Sequence, residues 1–422
     1  MLLIFILTII PLLRWFVIAP ANKFVDLGLI STSFGQMSGL AGMVLFSVAL
    51  ILSNRSKWLD KAFGGLDNAY ANHHILGGAA FTLLIFHPLL LVVRYARISW
   101  ANAASLFFTN DFPVLLGIIG LGLMMILLYL TFFVKDKISY QVWKTTHSIL
   151  PLALFFGGLH SFLIPSSIFY DQFLRIYILG LAIIALLLTG YKIANERLTK
   201  RKLEYVVSKV THLADDVIEV ELLPQNESLK FSPGQFIFVK FKGEGIASEA
   251  HPFSISSGIF DKSLKLAIKV LGDYTAVLNK DLKEGMAAEI EGPYGQFSIA
   301  SGKADEIWVA GGIGITPFLS MARSLNKNEF NVDFFYSFKG GKDAIFLDEF
   351  FKIAKTNEKF RVFSWCSSDQ GKISCRSINE IKEVKSKEIF LCGPGPMMED
   401  LKSQFLSYGV PAENIHFEKF NL

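Results

Sequence analysis

Six apolar stretches, near residues 2–20, 34–53, 73–93, 113–134, 145–164 and 169–191, constrain this chain more than any other feature. Each is long enough to cross a hydrocarbon core of about 30 Å, which takes roughly 20 helical residues. Between Met1 and Tyr191 there is no glutamate and few aspartates, whereas after Lys192 the charge density becomes ordinary. The first stretch has the length of a signal peptide but lacks a basic n-region and a small-residue cleavage site, so it reads as the first span. Lysines and arginines follow the second, fourth and sixth spans (Arg55, Lys57, Lys61; Lys135, Lys137, Lys144; Lys192, Arg197, Lys200, Arg201, Lys202), against Lys23, Arg94 and Arg97 on the other side. Eleven against three predicts a multi-pass protein of the cell membrane with both termini in the cytosol.

A net charge of +4 is too weak to imply nucleic acid as a partner. Cys366, Cys375 and Cys392 form no CxxC pattern and lie outside the apolar half, which argues against a disulfide framework, an iron–sulfur cluster and covalently attached haem. From Leu203 the rhythm changes to short β-type runs at Leu203–Val210, Val217–Leu222, Phe236–Phe241, Leu264–Val270 and Ala288–Glu291, the spacing of a small antiparallel β-barrel. From Ile307 it changes again, to strand, glycine turn and helix, with strands at Ile307–Ala310, Val332–Ser337, Phe360–Trp365 and Ile389–Leu391. That is an α/β sheet of the dinucleotide-binding kind. The expected order is therefore a six-helix transmembrane domain over 1–195, a β-barrel over 201–300 and an α/β domain over 301–422.

Ionisable side chains at membrane depth are costly and usually functional. His73 and His87 lie 14 residues apart on the third span, and His147 and His160 lie 13 apart on the fifth. Those separations are about 21 Å and about 19.5 Å along a helix axis. Both spans begin on the same side, so His73 pairs in depth with His147 and His87 with His160. Two layers of two imidazoles are the arrangement two bis-histidine haems need. A spacing of 14 returns within about 40° of the same helix face, but 13 is about 140° away. Pro151 and Gly157-Gly158 are able to bend or retwist the fifth span. His74 competes with His73 for the first layer; His73 is preferred because its spacing to His87 is the better one.

Four motifs mark the second half. His251-Pro252-Phe253-Ser254 sets an aromatic beside a hydroxyl, suited to stacking on an isoalloxazine and bonding its polar edge. Gly292-Pro293-Tyr294-Gly295 is a glycine-bracketed turn that can bring amides close to a pyrophosphate. Gly311-Gly312-Ile313-Gly314-Ile315-Thr316-Pro317 follows a strand and opens a helix, where phosphates sit over the positive helix end. Cys392-Gly393-Pro394 follows another strand. The first two alone read equally as an ordinary strand or turn; the order of all four is specific.

The second half resembles the ferredoxin–NADP reductase superfamily, and the whole chain resembles the NADPH oxidases and ferric reductases. The resemblance implies hydride transfer from NADPH or NADH to FAD and single-electron passage through two b-type haems. It places His73 and His147 on the inner haem and His87 and His160 on the outer one. His251 and Pro252 would lie by the FAD, Phe253 would stack on its ring and Ser254 would approach N5. Gly292, Tyr294 and Gly295 would support the FAD. Gly311, Gly312, Gly314, Thr316 and Pro317 would hold the dinucleotide, Lys339 a 2′-phosphate, and Cys392, Gly393 and Pro394 the nicotinamide. Phe420, or failing it Phe417, would cover the flavin. The chain departs from the animal oxidases at Leu91, where they carry a histidine, and at Gln36, where they carry an arginine; Arg14 is then the basic residue nearest the outer site. External O₂, reduced to superoxide, is the expected acceptor. Ferric iron and a partner protein or quinone are the alternatives, and no calcium-binding loop or obligate protein partner is expected.

Overall fold

The computed structural model of the chain describes residues 2–54, 57–63, 65–134, 137–138, 140–198, 203–299, 305–325, 330–378 and 384–418. Two compact units emerge, dividing between Lys200 and Arg201 apart from a short segment near residue 60.

The first unit is helical: α1 (Leu2–Ile18), α2 (Leu27–Leu52), α3 (Leu66–Ala96), α4 (Phe112–Tyr129), α5 (Tyr140–His147), α6 (Leu150–Leu163) and α7 (Gln172–Leu198). Among the described residues, five spans are long and apolar enough to cross a membrane: Leu27–Leu52, Asn68–Ala96, Phe112–Val134, Val142–Leu163 and Gln172–Ala194. The sixth expected span, α1, has 17 residues and sits at the lower bound for crossing. Large apolar side chains such as Val17, Ile126 and Leu187 remain exposed, an outer surface suited to lipid rather than water.

Packing inside this unit depends on small residues. Gly35, Gly39 and Gly42 line one face of α2 at helical spacing. A Cβ on Gly42 would fall 2.7 Å from Leu84 Cγ, and one on Gly35 would fall 3.2 Å from the His87 carbonyl. In lipid, where apolar burial drives little, such close backbone approach is what brings helices together. The fifth expected span is interrupted: α5 ends at His147 and α6 begins at Leu150 with Pro151 in its first turn. Proline fits there because no intrahelical donor is needed. On either side of this break His147 and His160 each face their partner ring, although a 13-residue spacing on one ideal helix would put them about 140° apart.

In the second unit, strands β1 (Leu203–Ala214), β2 (Val217–Pro224), β3 (Phe236–Lys242), β4 (His251–Ser254), β5 (Leu264–Lys269) and β6 (Ala287–Tyr294) form an antiparallel sheet in the order β4-β3-β6-β1-β2-β5. An Ile255–Leu266 bridge, with Ser256 N donating to Lys265 O at 2.8 Å, links the β4 edge to the β5 edge. Alternating residues such as Val207, Val220, Ile237 and Val239 fill the core. β4 was not anticipated; four residues with a proline give little periodicity. The helix α8 (Asp273–Asp281) packs beside this sheet, with Tyr274 and Leu278 buried.

Strands β7 (Asp305–Gly311), β8 (Asn331–Phe338), β9 (Phe360–Cys366), β10 (Glu388–Cys392) and β11 (Ile415–Glu418) form a parallel sheet ordered β11-β10-β7-β8-β9. One face packs on α9 (Thr316–Ser324) and α10 (Leu347–Thr356) through Phe318, Leu319 and Phe350. The other packs on α11 (Gly395–Ser407) through Met398, Leu401 and Phe405. The strand order reverses between β7 and β10, and ligands of open α/β sheets bind at the carboxyl ends beside such a reversal.

At the opposite end, Glu306 is fully buried, and Trp308 Nε1 donates to its Oε2 at 2.6 Å. Burial, with Glu388 next to it adding like charge, pushes Glu306 up to about 8 against the pull of the Trp308 bond. A carboxyl raised in the folded state stabilises fully below its unfolded value and loses that contribution as pH rises towards 8. The limiting slope is about 1.4 kcal/mol per pH unit. Glu306→Gln is expected to flatten this loss, as read by thermal melting of the protein between pH 5 and 8.

Candidate functional site

The helical unit brings four of the predicted residues together in pairs. The His73 and His147 rings lie 6.1 Å apart, centroid to centroid, at 72°; the His87 and His160 rings lie 6.3 Å apart at 74°. His74 stands edge-on to His73 at 5.5 Å, and its side chain is exposed.

Second contacts orient these rings. His73 Nδ1 lies 2.7 Å from the Ala49 carbonyl, His87 Nδ1 2.7 Å from that of Gly35, and His160 Nδ1 2.8 Å from that of Pro113. Carbonyls only accept, so each Nδ1 carries the hydrogen and each Nε2 keeps its lone pair for a ligand. This is how metal-ligating histidines are usually held. Space for the rings comes from glycine: a Cβ on Gly39 would fall 2.8 Å from His87 Nδ1, and one on Gly117 would fall 2.8 Å from His160 Nδ1. The separations fit a metal between each pair. An imidazole nitrogen sits roughly 1.1 Å from its ring centre and about 2.0 Å from a bound metal. Two such ligands on opposite sides of one iron put the ring centres roughly 6 Å apart.

Elsewhere in this unit, Arg14 is bonded to Asp171 at 2.6 Å, and Gln36 accepts from Trp15 Nε1 at 3.0 Å. The residue singled out as the basic candidate is thus committed to a carboxylate.

In the second unit a cavity of about 170 Å³ is lined by Phe236, Pro252, Phe253, Ser254, Thr316 and Glu418, among others. The His251 motif and the opening of α9 therefore meet at one place. Ser254 Oγ is buried with no hydrogen-bond partner among the described residues, as are Ser256 Oγ and Ser257 Oγ. His251 stacks on Tyr274 at 3.8 Å and 17°, and its Nε2 lies 3.1 Å from Glu249 Oε2. Tyr294 OH donates to Glu291 Oε1 at 2.7 Å, which anchors the turn between Gly292 and Gly295.

At the strand-order reversal the two glycine motifs interlock. A Cβ on Gly314 would fall 2.4 Å from the Cys392 carbonyl, and one on Gly311 would fall 2.6 Å from Met397 Cε and 2.8 Å from Pro394 Cδ. These glycines serve the close approach of the two loops, while Gly312, with φ +53°, faces open space. Gly393 packs on Gly311, and Thr316 Oγ1 donates to the Ile313 carbonyl at 2.7 Å, which with Pro317 begins α9. Cys392 is fully buried, and burial raises its thiol well above the usual range, so it acts as a neutral thiol. Lys339 is exposed at the end of β8, and its carbonyl accepts from Ser368 N at 3.2 Å. Phe420 lies outside the described residues.

Glu418 was missed in the sequence, where the terminal motif was read for its aromatics alone. Its position two residues before Phe420 was the available signal. The backbone acceptors of the imidazoles had no signal, since any residue supplies a carbonyl.

One chain thus carries paired imidazoles in an apolar helical unit and, in the second unit, an antiparallel sheet and a dinucleotide-type α/β sheet. Three family models match consecutive segments of the chain. Residues 38–158 match a ferric reductase like transmembrane component, 202–299 an FAD-binding domain and 308–403 an oxidoreductase NAD-binding domain. The chain thus has the domain architecture of the NADPH oxidase/ferric reductase superfamily.

Among curated relatives, the ferredoxin reductase component of 3-ketosteroid-9-alpha-monooxygenase from Mycobacterium tuberculosis is 29% identical over 219 residues, 50% of this chain and 61% of that protein. The glycine betaine monooxygenase reductase subunit of Pseudomonas aeruginosa is 30% identical over 205 residues, 45% of this chain and 56% of that protein. The chain therefore spans about three fifths of the length of these relatives. Among solved structures, flavohemoglobin from Malassezia yamatoensis aligns over 94% of this chain and 98% of its own, with TM-score 0.53 and 17% identity, a likeness of fold.

Proposed function

We propose that this chain oxidises NAD(P)H on the cytosolic side of the cell membrane and delivers the electrons across it to external O₂, giving superoxide. FAD would be held in the cavity at Phe253 and Ser254, and two b-type haems by His73 with His147 and by His87 with His160. Flavin takes a two-electron hydride and gives electrons up singly, and haem iron carries one at a time. The observation that carries the reading is the pair of facing imidazole layers, each separated as two ligands of one iron would be.

The residues have distinct tasks. Phe253 offers an aromatic surface for the flavin, Ser254 a hydroxyl for its polar edge, and Glu418 a carboxylate in the same cavity. Gly312 and the start of α9 suit a dinucleotide phosphate. The imidazoles bind iron without adding charge at membrane depth. If each haem were held by its two imidazoles, the acceptor would be reduced without binding the iron. The short loops offer no acidic or Cys/His cluster for docking iron, which favours O₂ over a ferric chelate.

The deciding assay gives the purified protein NADH or NADPH and compares superoxide yield with Fe(III) reduction. Iron reduction without superoxide under air would replace the oxidase reading with that of a ferric reductase. Lys339→Ala is expected to raise the Michaelis constant for NADPH by up to about 10-fold, the loss of one charge-assisted contact of about 1.4 kcal/mol, with less effect on NADH. Steady-state kinetics with both cofactors checks this, and equal effects would make Lys339 a solvated surface residue.

A further inference from the structure

One of the four imidazoles is held differently from the rest. His73, His87 and His160 direct Nδ1 at backbone carbonyls, but His147 Nδ1 lies 3.1 Å from Thr131 Oγ1. The Thr131 hydroxyl also donates to the Leu127 carbonyl at 3.0 Å. That bond uses its one hydrogen, so towards His147 the oxygen acts as acceptor and the ring as donor.

The backbone is irregular on both sides of this contact. Thr131 sits in a π-helical turn, Leu130–Val134, that continues α4. Single π turns re-aim the side chains around them and cluster at functional sites. His147 is the last residue of α5, beside the break before Leu150, and Trp143 stacks on its ring at 5.5 Å and 26°. The acceptors for His73 and His87, by contrast, belong to the uninterrupted helix α2. A backbone carbonyl stays whatever the side chain becomes. A threonine hydroxyl does not, so His147 is the ligand whose supporting bond the sequence can change.

We infer that Thr131 is a positioning residue for the His73/His147 haem: its hydroxyl fixes the His147 ring and tunes that haem independently of the His87/His160 haem. This rests on the two-haem reading. Hydrogen bonding at the distal nitrogen makes an imidazole a stronger electron donor to its metal. A stronger donor favours the ferric state, so loss of the bond raises the midpoint potential of that haem alone.

The test uses the full-length solubilised protein with Thr131→Val, of similar volume without the hydroxyl, and Thr131→Ser, which keeps it. Potentiometric titration of the haem bands and low-temperature spectra of the ferric low-spin signals are read alongside haem content. In Thr131→Val, one midpoint should rise and one low-spin signal should move while the other stays; Thr131→Ser should match the wild type. Loss of a single haem in Thr131→Val, with both kept in Thr131→Ser, has the same meaning. In a His87→Ala background the remaining haem should be the one that shifts. Unchanged midpoints and signals at full occupancy, equal shifts of both haems, or haem loss from both variants would overturn the assignment. A wild-type protein that binds no haem would instead overturn the two-haem reading.

Discussion

Replacing His87 by alanine should lower the haem content from two to one per chain. The argument is geometric. His87 and His160 face each other at 6.3 Å, and the spacing along α3 puts His73 about four helical turns away, beyond the reach of the same iron. If His87 and His160 hold one haem, the variant would leave His160 alone to hold it. The His73/His147 layer keeps its own supporting bonds to Ala49 and Thr131. Pyridine haemochrome analysis against protein concentration measures the ratio directly. His74→Ala is the matched control and should retain both haems, since His74 lies exposed beside the ligand rather than in the pair. A ratio of two in His87→Ala, or of one in His74→Ala, would end the assignment of ligands.

What the sequence made legible follows from which forces leave periodic traces. Long apolar runs located the spans because lipid admits few other backbones. The parallel strands from Ile307 to Leu391 stood out as short apolar runs, Ile307–Ala310 and Ile389–Leu391 leading straight into glycine turns, and all four are found in place. Strands β4 and β11 have four residues each, too few for a period, and β11 lay in a stretch read only for its terminal aromatics. The pairing of His73 with His147 was readable from depth alone. The departure from an ideal fifth helix was readable from Pro151, but its place, at Ser148 and Ile149, was not. Gly39 and Gly117 illustrate a further limit. Their role is to be absent from the volume an imidazole occupies, and that volume is defined by a different helix.

Arg323→Met should cost stability, up to about 3 kcal/mol because Glu349 is partly exposed, and slow flavin reduction by NAD(P)H more than it weakens nucleotide binding. Arg323, on α9, is mostly buried. Its Nε and Nη2 donate to the two carboxylate oxygens of Glu349 at 2.7 and 2.8 Å, and its Nη1 donates to the Ser256 carbonyl at 2.9 Å. Beside it, Ser320 Oγ donates to the Ser257 carbonyl at 2.7 Å, and Ser324 Oγ accepts from Ile259 N at 3.1 Å. The helix opened by the nucleotide motif is thereby fastened to the segment that continues the flavin motif. Methionine preserves much of the apolar stem but leaves Glu349 and Glu219 facing each other without the cation; burial already pushes Glu219 up, and Arg323 pulls it back. Removing one partner of a buried, hydrogen-bonded charge cluster is the costly way to break it. Hydride transfer requires reacting atoms about 3–3.5 Å apart, so a small loss of register between the two motifs acts on the rate before it acts on affinity. Arg323→Lys keeps the charge but loses the planar fork, and should fall between the two. Stopped-flow flavin reduction at measured FAD content, with melting curves alongside, distinguishes the outcomes. A variant that melts with the wild type and reduces its flavin at the wild-type rate would show that Arg323 fastens nothing the reaction needs.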